Sequence, residues 1–171
     1  MVYDFQALSE IFEQIPTDAP QNIAKLIHSH PRIFLYGAGR SGLMLKAFAM
    51  RLAQAGFVTF AVGETVTPAI VRGDLLIVAS ASGRTASVLR CAETARTVGA
   101  TVCALTASSD APLAALSDST VLLHAPTKDS APSSSIMGTL FEQSVLLLCD
   151  RSVEKLGVDA DQMRARHANL E

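Results

Sequence analysis

The sequence contains no tryptophan, and aromatic residues make up only 5% of its 171 residues. This scarcity argues against a surface built to stack nucleic-acid bases. Lysine and arginine number 14 against 16 aspartates and glutamates, giving a net charge of −2, so no basic field would attract nucleic acid or an anionic membrane. No uninterrupted apolar stretch reaches the ~18 residues of a membrane span. We therefore expect neither a nucleic-acid partner nor a membrane partner.

Cysteine is also scarce, and Cys91, Cys103 and Cys149 form an odd-numbered set without the spacing of a metal site. Each falls inside a predicted helix or strand, which favours buried, reduced thiols. Residues 1–5 lack the basic-then-apolar pattern of a signal peptide. We expect a soluble, cytoplasmic protein without a bound metal or cofactor.

Apolar β-type runs alternate with helical patterns along most of the chain, and 49% of the residues are hydrophobic. Strands that read as continuous Val, Ile and Leu runs between helices are typical of a parallel sheet covered on both faces. With right-handed crossovers, the chain should form an α/β fold: a doubly wound, flavodoxin-like three-layer αβα sandwich with a five-stranded parallel sheet. The predicted strands are 32–36, 57–62, 75–79, 101–106 and 120–124. The predicted helices of the core are about 41–55, 85–98, 113–116 and 135–156.

The length is that of a single domain. We divide it into N-terminal helices over 1–31, an α/β core over 32–156 and a polar C-terminal tail over 157–171. The polar segment 125–135 connects the last strand to the last long helix. It is either a lid over the site or an ordinary surface connection.

Two Ser/Gly loops each follow a predicted strand and open a helix. The first occupies 37–42, reading Gly-Ala-Gly-Arg-Ser-Gly, and the second occupies 80–87, reading Ser-Ala-Ser-Gly-Arg-Thr-Ala-Ser. Such a turn directs unpaired backbone N–H groups and the positive helix end at one spot, which suits a phosphate, and hydroxyls add further donors. Both loops should lie beyond the carboxyl ends of the strands. We predict a phosphorylated, polyhydroxylated ligand such as a sugar phosphate, bound by Gly39, Arg40, Ser41, Ser80, Ser82, Thr85 and Ser87.

The first loop also matches the dinucleotide fingerprint Gly-x-Gly-x-x-Gly at Gly37, Gly39 and Gly42. Glu64 follows the last glycine by 22 residues, where a ribose-binding acid would sit. Two features argue against a dinucleotide. No second domain is predicted to hold a hydride partner, and the second loop has no place in that scheme.

Several stretches carry a family resemblance, and they span most of the chain after the first strand. The two loops resemble those of sugar isomerase (SIS) domains, which bind phosphosugars. The other stretches resemble the 6-phospho-3-hexuloisomerase branch of that family, above all Met-Gly-Thr-Leu-Phe-Glu and the terminal Arg-His-Ala-Asn-Leu. The resemblance lies in 37–42, 47–52, 62–68, 137–142 and 166–170.

The resemblance implies a homo-oligomeric isomerase that interconverts D-arabino-3-hexulose 6-phosphate and fructose 6-phosphate, downstream of formaldehyde fixation. Moving a carbonyl between carbons 3 and 2 needs a base for the proton on carbon 2, and no metal is required if donors stabilise the enediolate oxygen. Glu142, in the first turn of the last long helix, is the expected base. His167 is the expected acid, and its place in the tail suggests that it completes the site of a neighbouring chain.

Two other functions of SIS proteins remain open. One is an aldose–ketose isomerase of the arabinose 5-phosphate type, which usually carries paired regulatory domains after the SIS domain. The other is a regulatory protein that binds a sugar phosphate without converting it. Such sensors are typically fused to a helix-turn-helix domain. The segment before the first strand has roughly 30 residues and is not basic overall, so we expect it to be too short for a DNA-binding domain of that kind.

Overall fold

A five-stranded parallel sheet forms the centre of the fold, with strand order β2-β1-β3-β4-β5. The computed structural model describes residues 5–127 and 139–170. The strands are β1 (Ile33–Gly37), β2 (Thr59–Ala61), β3 (Leu75–Ala79), β4 (Thr101–Thr106) and β5 (Ser119–Leu122). The order reverses between β1 and β3, where the chain moves first to one side of β1 and then to the other.

Helices cover both faces of this sheet. They are α1 (Phe5–Glu13), α2 (Ala19–Ser29), α3 (Gly39–Gln54), α4 (Ala86–Val98), α5 (Pro112–Ala115), α6 (Thr139–Glu154) and α7 (Ala160–Ala165). One core cluster joins the sheet to α1, α2, α3 and α6, and a second joins it to α4 and α5. The predicted three-layer α/β sandwich with a five-stranded parallel sheet is therefore confirmed.

The two core clusters follow from the alternation of side chains along each strand. Ile33 and Leu35 of β1 pack on the side of α3 and α6, whereas Phe34 packs on the side of α4. All five residues of β3 are buried, as expected for a central strand with both faces covered. This arrangement fixes where each strand ends, and thus where the following loops begin.

An ion pair joins the amino-terminal ends of β1 and β3. Arg32 donates from Nε to Asp74 Oδ1 at 2.9 Å and from Nη2 to Oδ2 at 2.5 Å, and Val71 N–H donates to Oδ2 at 2.7 Å. Burial alone would raise the pKa of Asp74. The hydrogen bonds from Arg32 and Val71 and the positive charge of Arg32 instead hold it below its ordinary value. The pair thus stabilises the end of the sheet opposite the two loops.

The boundaries differ from the prediction mainly at the edges of the sheet. β2 and β5 are shorter than the predicted strands, since each pairs with one neighbour only. The tail, predicted only as polar, contains α7, whose N-cap Asp159 accepts hydrogen bonds from the backbone of Asp161 and Gln162.

Most of the candidate lid, together with Met137 and Gly138, falls within 128–138 and lies outside the described residues. None of the described helices is both long and apolar enough to span a bilayer.

Candidate functional site

An open cleft of about 170 Å³ lies at the carboxyl ends of β1 and β3, between the starts of α3, α4 and α6. This is the point at which the strand order reverses, where open α/β sheets characteristically bind their ligands. Among the described residues, the cleft brings together hydroxyl groups, the carboxylate of Glu142, three alanines and a phenylalanine. Its lining residues are Ala38, Ser41, Ala79, Ser80, Ala81, Ser82, Thr85, Thr127, Phe141 and Glu142.

The first loop turns from β1 directly into α3. Gly37 and Gly42 pack so closely that a Cβ on Gly42 would lie 2.2 Å from the carbonyl oxygen of Gly37. The approach sets the start of α3 against the end of β1, so the N-terminus of the helix, whose first backbone N–H groups have no helical partner, adjoins the cleft through its N-cap Ala38 and Ser41. Backbone donors of this kind, at the positive end of a helix, favour an anionic group.

The second loop is held by a hydroxyl pair and by tight backbone packing. The buried Ser80 places its Oγ 2.9 Å from Thr85 Oγ1, and Thr85 is the N-cap of α4. Gly83 has a φ of +58°, and a Cβ there would lie 2.4 Å from the Cβ of Ala111. Ser82 Oγ accepts a hydrogen bond of 3.3 Å from the backbone N–H of Arg84. The loop therefore has one well-defined path, which presents three hydroxyls to the cleft.

Glu142 supplies the carboxylate of the cleft from the first turn of α6. Its side chain is only 13% exposed, and its Oε2 accepts a hydrogen bond from Nε of Arg40, whose side chain is 60% exposed. A carboxylate beside bound hydroxyl and carbonyl groups can exchange protons with a substrate. The cleft thus combines donors for an anion with a group capable of acid–base chemistry.

Most of the residues that the sequence predicts for the site meet here. Ser41, Ser80, Ser82, Thr85 and Glu142 line the cleft. Gly39 is the first residue of α3, which begins beside the cleft, and Arg40 is linked to the cleft by its hydrogen bond to Glu142. Ser87 instead lines a different cleft of about 330 Å³, on the side of the sheet covered by α4. Thr85 is the N-cap of α4 and has extended backbone, whereas Ser87 lies within the helix, and the two side chains line different clefts.

Thr127 also lines the cleft and was not predicted as a site residue. It belongs to the polar segment after β5, which the sequence marks only as a possible lid. No strand or helix pattern fixes the path of such a segment, so its composition alone gives no signal for one particular residue.

His167 lies away from this cleft within the single chain. It is exposed, and its Nδ1 lies 3.1 Å from the carbonyl oxygen of Ala168. The neighbouring Arg166 packs on Gly56 and donates to the carbonyl of Gln54 at 3.3 Å, at the C-terminal end of α3. Since α3 has 16 residues, this end lies about 24 Å from the end that adjoins the cleft. The two predicted catalytic residues of one chain are therefore far apart.

Among the described residues, no group of three or more His, Cys, Asp and Glu side chains is placed to hold a metal ion.

Fold and cleft together define an α/β protein with a hydroxyl-lined cleft at the switch point of its sheet. Residues 25–148 match the sequence profile of the SIS domain family. The chain belongs to the SIS domain family, as its loops and motifs predict.

Relatives with a named activity cover most of the chain. A 3-hexulose-6-phosphate isomerase of Mycobacterium gastri is 43% identical over 156 residues, covering 87% of this chain and 78% of that protein. A protein of the same name from Bacillus subtilis strain 168 is 39% identical over 165 residues, covering 92% and 89%. A crystal structure of a Methanococcus jannaschii protein, from which a 3-hexulose-6-phosphate isomerase function was inferred, has a TM-score of 0.85 and 30% identity. It covers 99% of this chain and 100% of that chain.

Proposed function

We propose that this protein is an isomerase that interconverts D-arabino-3-hexulose 6-phosphate and fructose 6-phosphate through an enediol intermediate. The observation that carries the proposal is the carboxylate of Glu142 in a cleft whose other described polar side chains are the hydroxyls of Ser41, Ser80, Ser82, Thr85 and Thr127. The relatives named for this activity, at 39–43% identity over most of the chain, support the substrate.

In the forward direction, Glu142 takes the proton from carbon 2 of the open-chain 3-ketose, giving an enediol. The proton returns at carbon 3, while the two oxygens exchange a proton, so the carbonyl moves to carbon 2. Donors in the cleft stabilise the enediolate oxygen as its charge develops. The phosphate and the hydroxyls of the substrate bind Gly39, Ser41, Ser80, Ser82 and Thr85.

We further propose that the active form is a homo-oligomer in which His167 completes the site of a neighbouring chain. The distance between His167 and the cleft of its own chain supports this arrangement. So do exposed apolar side chains on two adjoining helices, Leu43 and Met50 on α3 and Leu147 on α6, which a second copy could cover.

The difference in ring closure between the two substrates suggests a role for His167. A 3-ketose phosphorylated on oxygen 6 cannot close a five-membered ring, so the forward substrate is open-chain, whereas fructose 6-phosphate is mostly cyclic and must be opened. An acid that opens the ring is needed in the reverse direction. His167→Ala should therefore leave the conversion of fructose 6-phosphate limited by spontaneous ring opening. Its rate should reach a plateau as enzyme is added, whereas the rate of fructose 6-phosphate formation should keep rising in proportion to enzyme. A conversion rate that also keeps rising with enzyme would contradict this role of His167.

Sharing of sites can be tested by complementation. Glu142→Gln and His167→Ala chains, each impaired alone, should regain about a quarter of the wild-type activity when co-expressed, because random pairing into dimers makes about half of them hybrids and one of the two sites in each hybrid is intact. Mixtures that stay as inactive as the separate variants would contradict a shared site.

We place the enzyme in the cytoplasm. Cys91, Cys103 and Cys149 are all free, and burial raises the pKa of the Cys103 thiol to about 12. Free thiols of this kind are usual in a reducing compartment.

The activity is tested by supplying 3-hexulose 6-phosphate and measuring the fructose 6-phosphate formed. The wild type should turn over, and Glu142→Gln should lose about two to four decades of rate. Glu154→Gln is a matched control, since Glu154 lies on the same helix in an exposed ion pair with Arg151. Tight binding of fructose 6-phosphate without turnover would contradict the isomerase and support a sensor.

A further inference from the structure

Arg40 and Glu142 join two parts of the site that are 102 residues apart in sequence. Arg40 lies in the first turn of α3, directly after the left-handed Gly39, and Glu142 lies in the first turn of α6. The contact therefore ties the first loop, at the start of α3, to the carboxylate of the cleft.

The geometry of the contact divides the carboxylate into two unlike oxygens. Nε of Arg40 donates to Oε2 of Glu142. Within residues 5–127 and 139–170, Oε1 accepts no hydrogen bond, although the side chain is mostly buried and lines the cleft. Such an arrangement fixes the rotation of the carboxylate about its last bond and leaves one oxygen for other partners.

The position of Arg40 itself points to Glu142 rather than to the ligand. Arg40 is not among the residues that line the cleft, and its side chain is 60% exposed. The hydroxyls and helix N-termini of the two loops already offer several neutral donors to an anion.

We propose that Arg40 is a positioning residue: it holds Oε2 of Glu142 so that Oε1 meets the proton on carbon 2. This inference rests on the proposed function, in which Glu142 is the base. It assigns Arg40 a different part from the substrate-binding role that the sequence predicts. A third group that orients a base is a general feature of acid–base sites, because misplacement of the base by about 1 Å can cost about a hundredfold in rate.

The test compares kcat with affinity in Arg40→Gln. If Arg40 acts through Glu142, kcat should fall about 10- to 100-fold, while KM stays within about threefold. Affinity is measured by calorimetry with glucitol 6-phosphate, which has no carbonyl and cannot isomerise. It should also stay within about threefold. Arg151→Gln, which breaks an exposed arginine–glutamate pair within α6, should leave both quantities unchanged.

Three further measurements separate positioning from a loss of folding. Added guanidinium should restore part of the activity of Arg40→Ala, and it should restore none in Glu142→Gln. The double variant Arg40→Gln with Glu142→Gln should be no slower than Glu142→Gln alone, since residues that act as a unit are not additive. Thermal unfolding of each variant checks that the fold is retained.

A tenfold or greater loss of affinity for glucitol 6-phosphate in Arg40→Gln, with kcat retained, would overturn the inference and make Arg40 a ligand of the phosphate. Unchanged kcat and affinity would also overturn it. Neither result would contradict the proposed function, as long as the wild type isomerises 3-hexulose 6-phosphate and Glu142→Gln does not. Absence of turnover in the wild type would instead refute the function itself.

Discussion

Gly83→Ala should be strongly destabilising, and the structure divides the cost into two parts. A φ of +58° is the left-handed region, which costs a residue with a Cβ about 1–2 kcal/mol. The new Cβ would also lie 2.4 Å from the Cβ of Ala111 and 3.1 Å from Oγ1 of Thr106, both in the protein interior. Overpacking of this kind costs about 1–3 kcal/mol. We expect a total loss of about 2–5 kcal/mol in the free energy of unfolding.

Gly39→Ala is a matched control within the same site. Gly39 has the same φ of +58°, but nothing lies within 4 Å of the point that a Cβ would occupy. It should show only the backbone cost of about 1–2 kcal/mol. Urea unfolding of both variants, followed by far-ultraviolet circular dichroism at equal chain concentration, measures the difference. Equal destabilisation of the two variants would refute the role assigned to the contact with Ala111.

Two other substitutions test the binding loop and the far end of the sheet. Ser80→Ala removes the partner of Thr85, 2.9 Å away. It should raise KM for the sugar phosphate about tenfold and lower stability by about 1 kcal/mol. Asp74→Asn should lower the Tm at neutral pH by about 5 °C, because it removes the charge that Arg32 binds. The pKa of Asp74 is lowered in the folded state, so its contribution is present above pH of about 4 and is lost as the pH falls through the folded value.

Both substitutions have clear contrary outcomes. An unchanged KM in Ser80→Ala would show that the Ser80 hydroxyl does not contribute to substrate binding. For Asp74→Asn, melting curves from neutral to acidic pH should converge with those of the wild type at the acid end. A difference in Tm that stays constant down to the lowest pH would contradict the ion pair as its source.

The sequence predicts the central elements of the fold better than its edges. β3 and β4 occupy the residues that their continuous apolar runs indicate, because central strands need apolar side chains on both faces. β2 and β5 are edge strands, whose shorter pairing the apolar pattern overestimates. The helix α7 is missed although Asp159 is a good N-cap, since its few polar residues show no apolar periodicity.

For the site, the sequence predicts which loops meet but not how individual side chains pair. The carboxyl ends of β1 and β3 must adjoin in a parallel sheet with this topology, so Ser41 and Ser80 fall on one cleft. The hydrogen bond between Arg40 and Glu142 depends on how α3 packs against α6. No local pattern specifies a contact across 102 residues.

Solvent deuterium exchange tests the central claim most directly, that Glu142 isomerises the sugar phosphate through an enediol. Fructose 6-phosphate is incubated with the enzyme in D₂O and observed by proton NMR. With the wild type, the proton on carbon 3 should be replaced by deuterium, because the proton returned there comes from a base in exchange with solvent. Glu142→Gln should lose this exchange, whereas Glu154→Gln should keep it. Isomerisation without deuterium at carbon 3, or exchange at the wild-type rate in Glu142→Gln, would contradict the account.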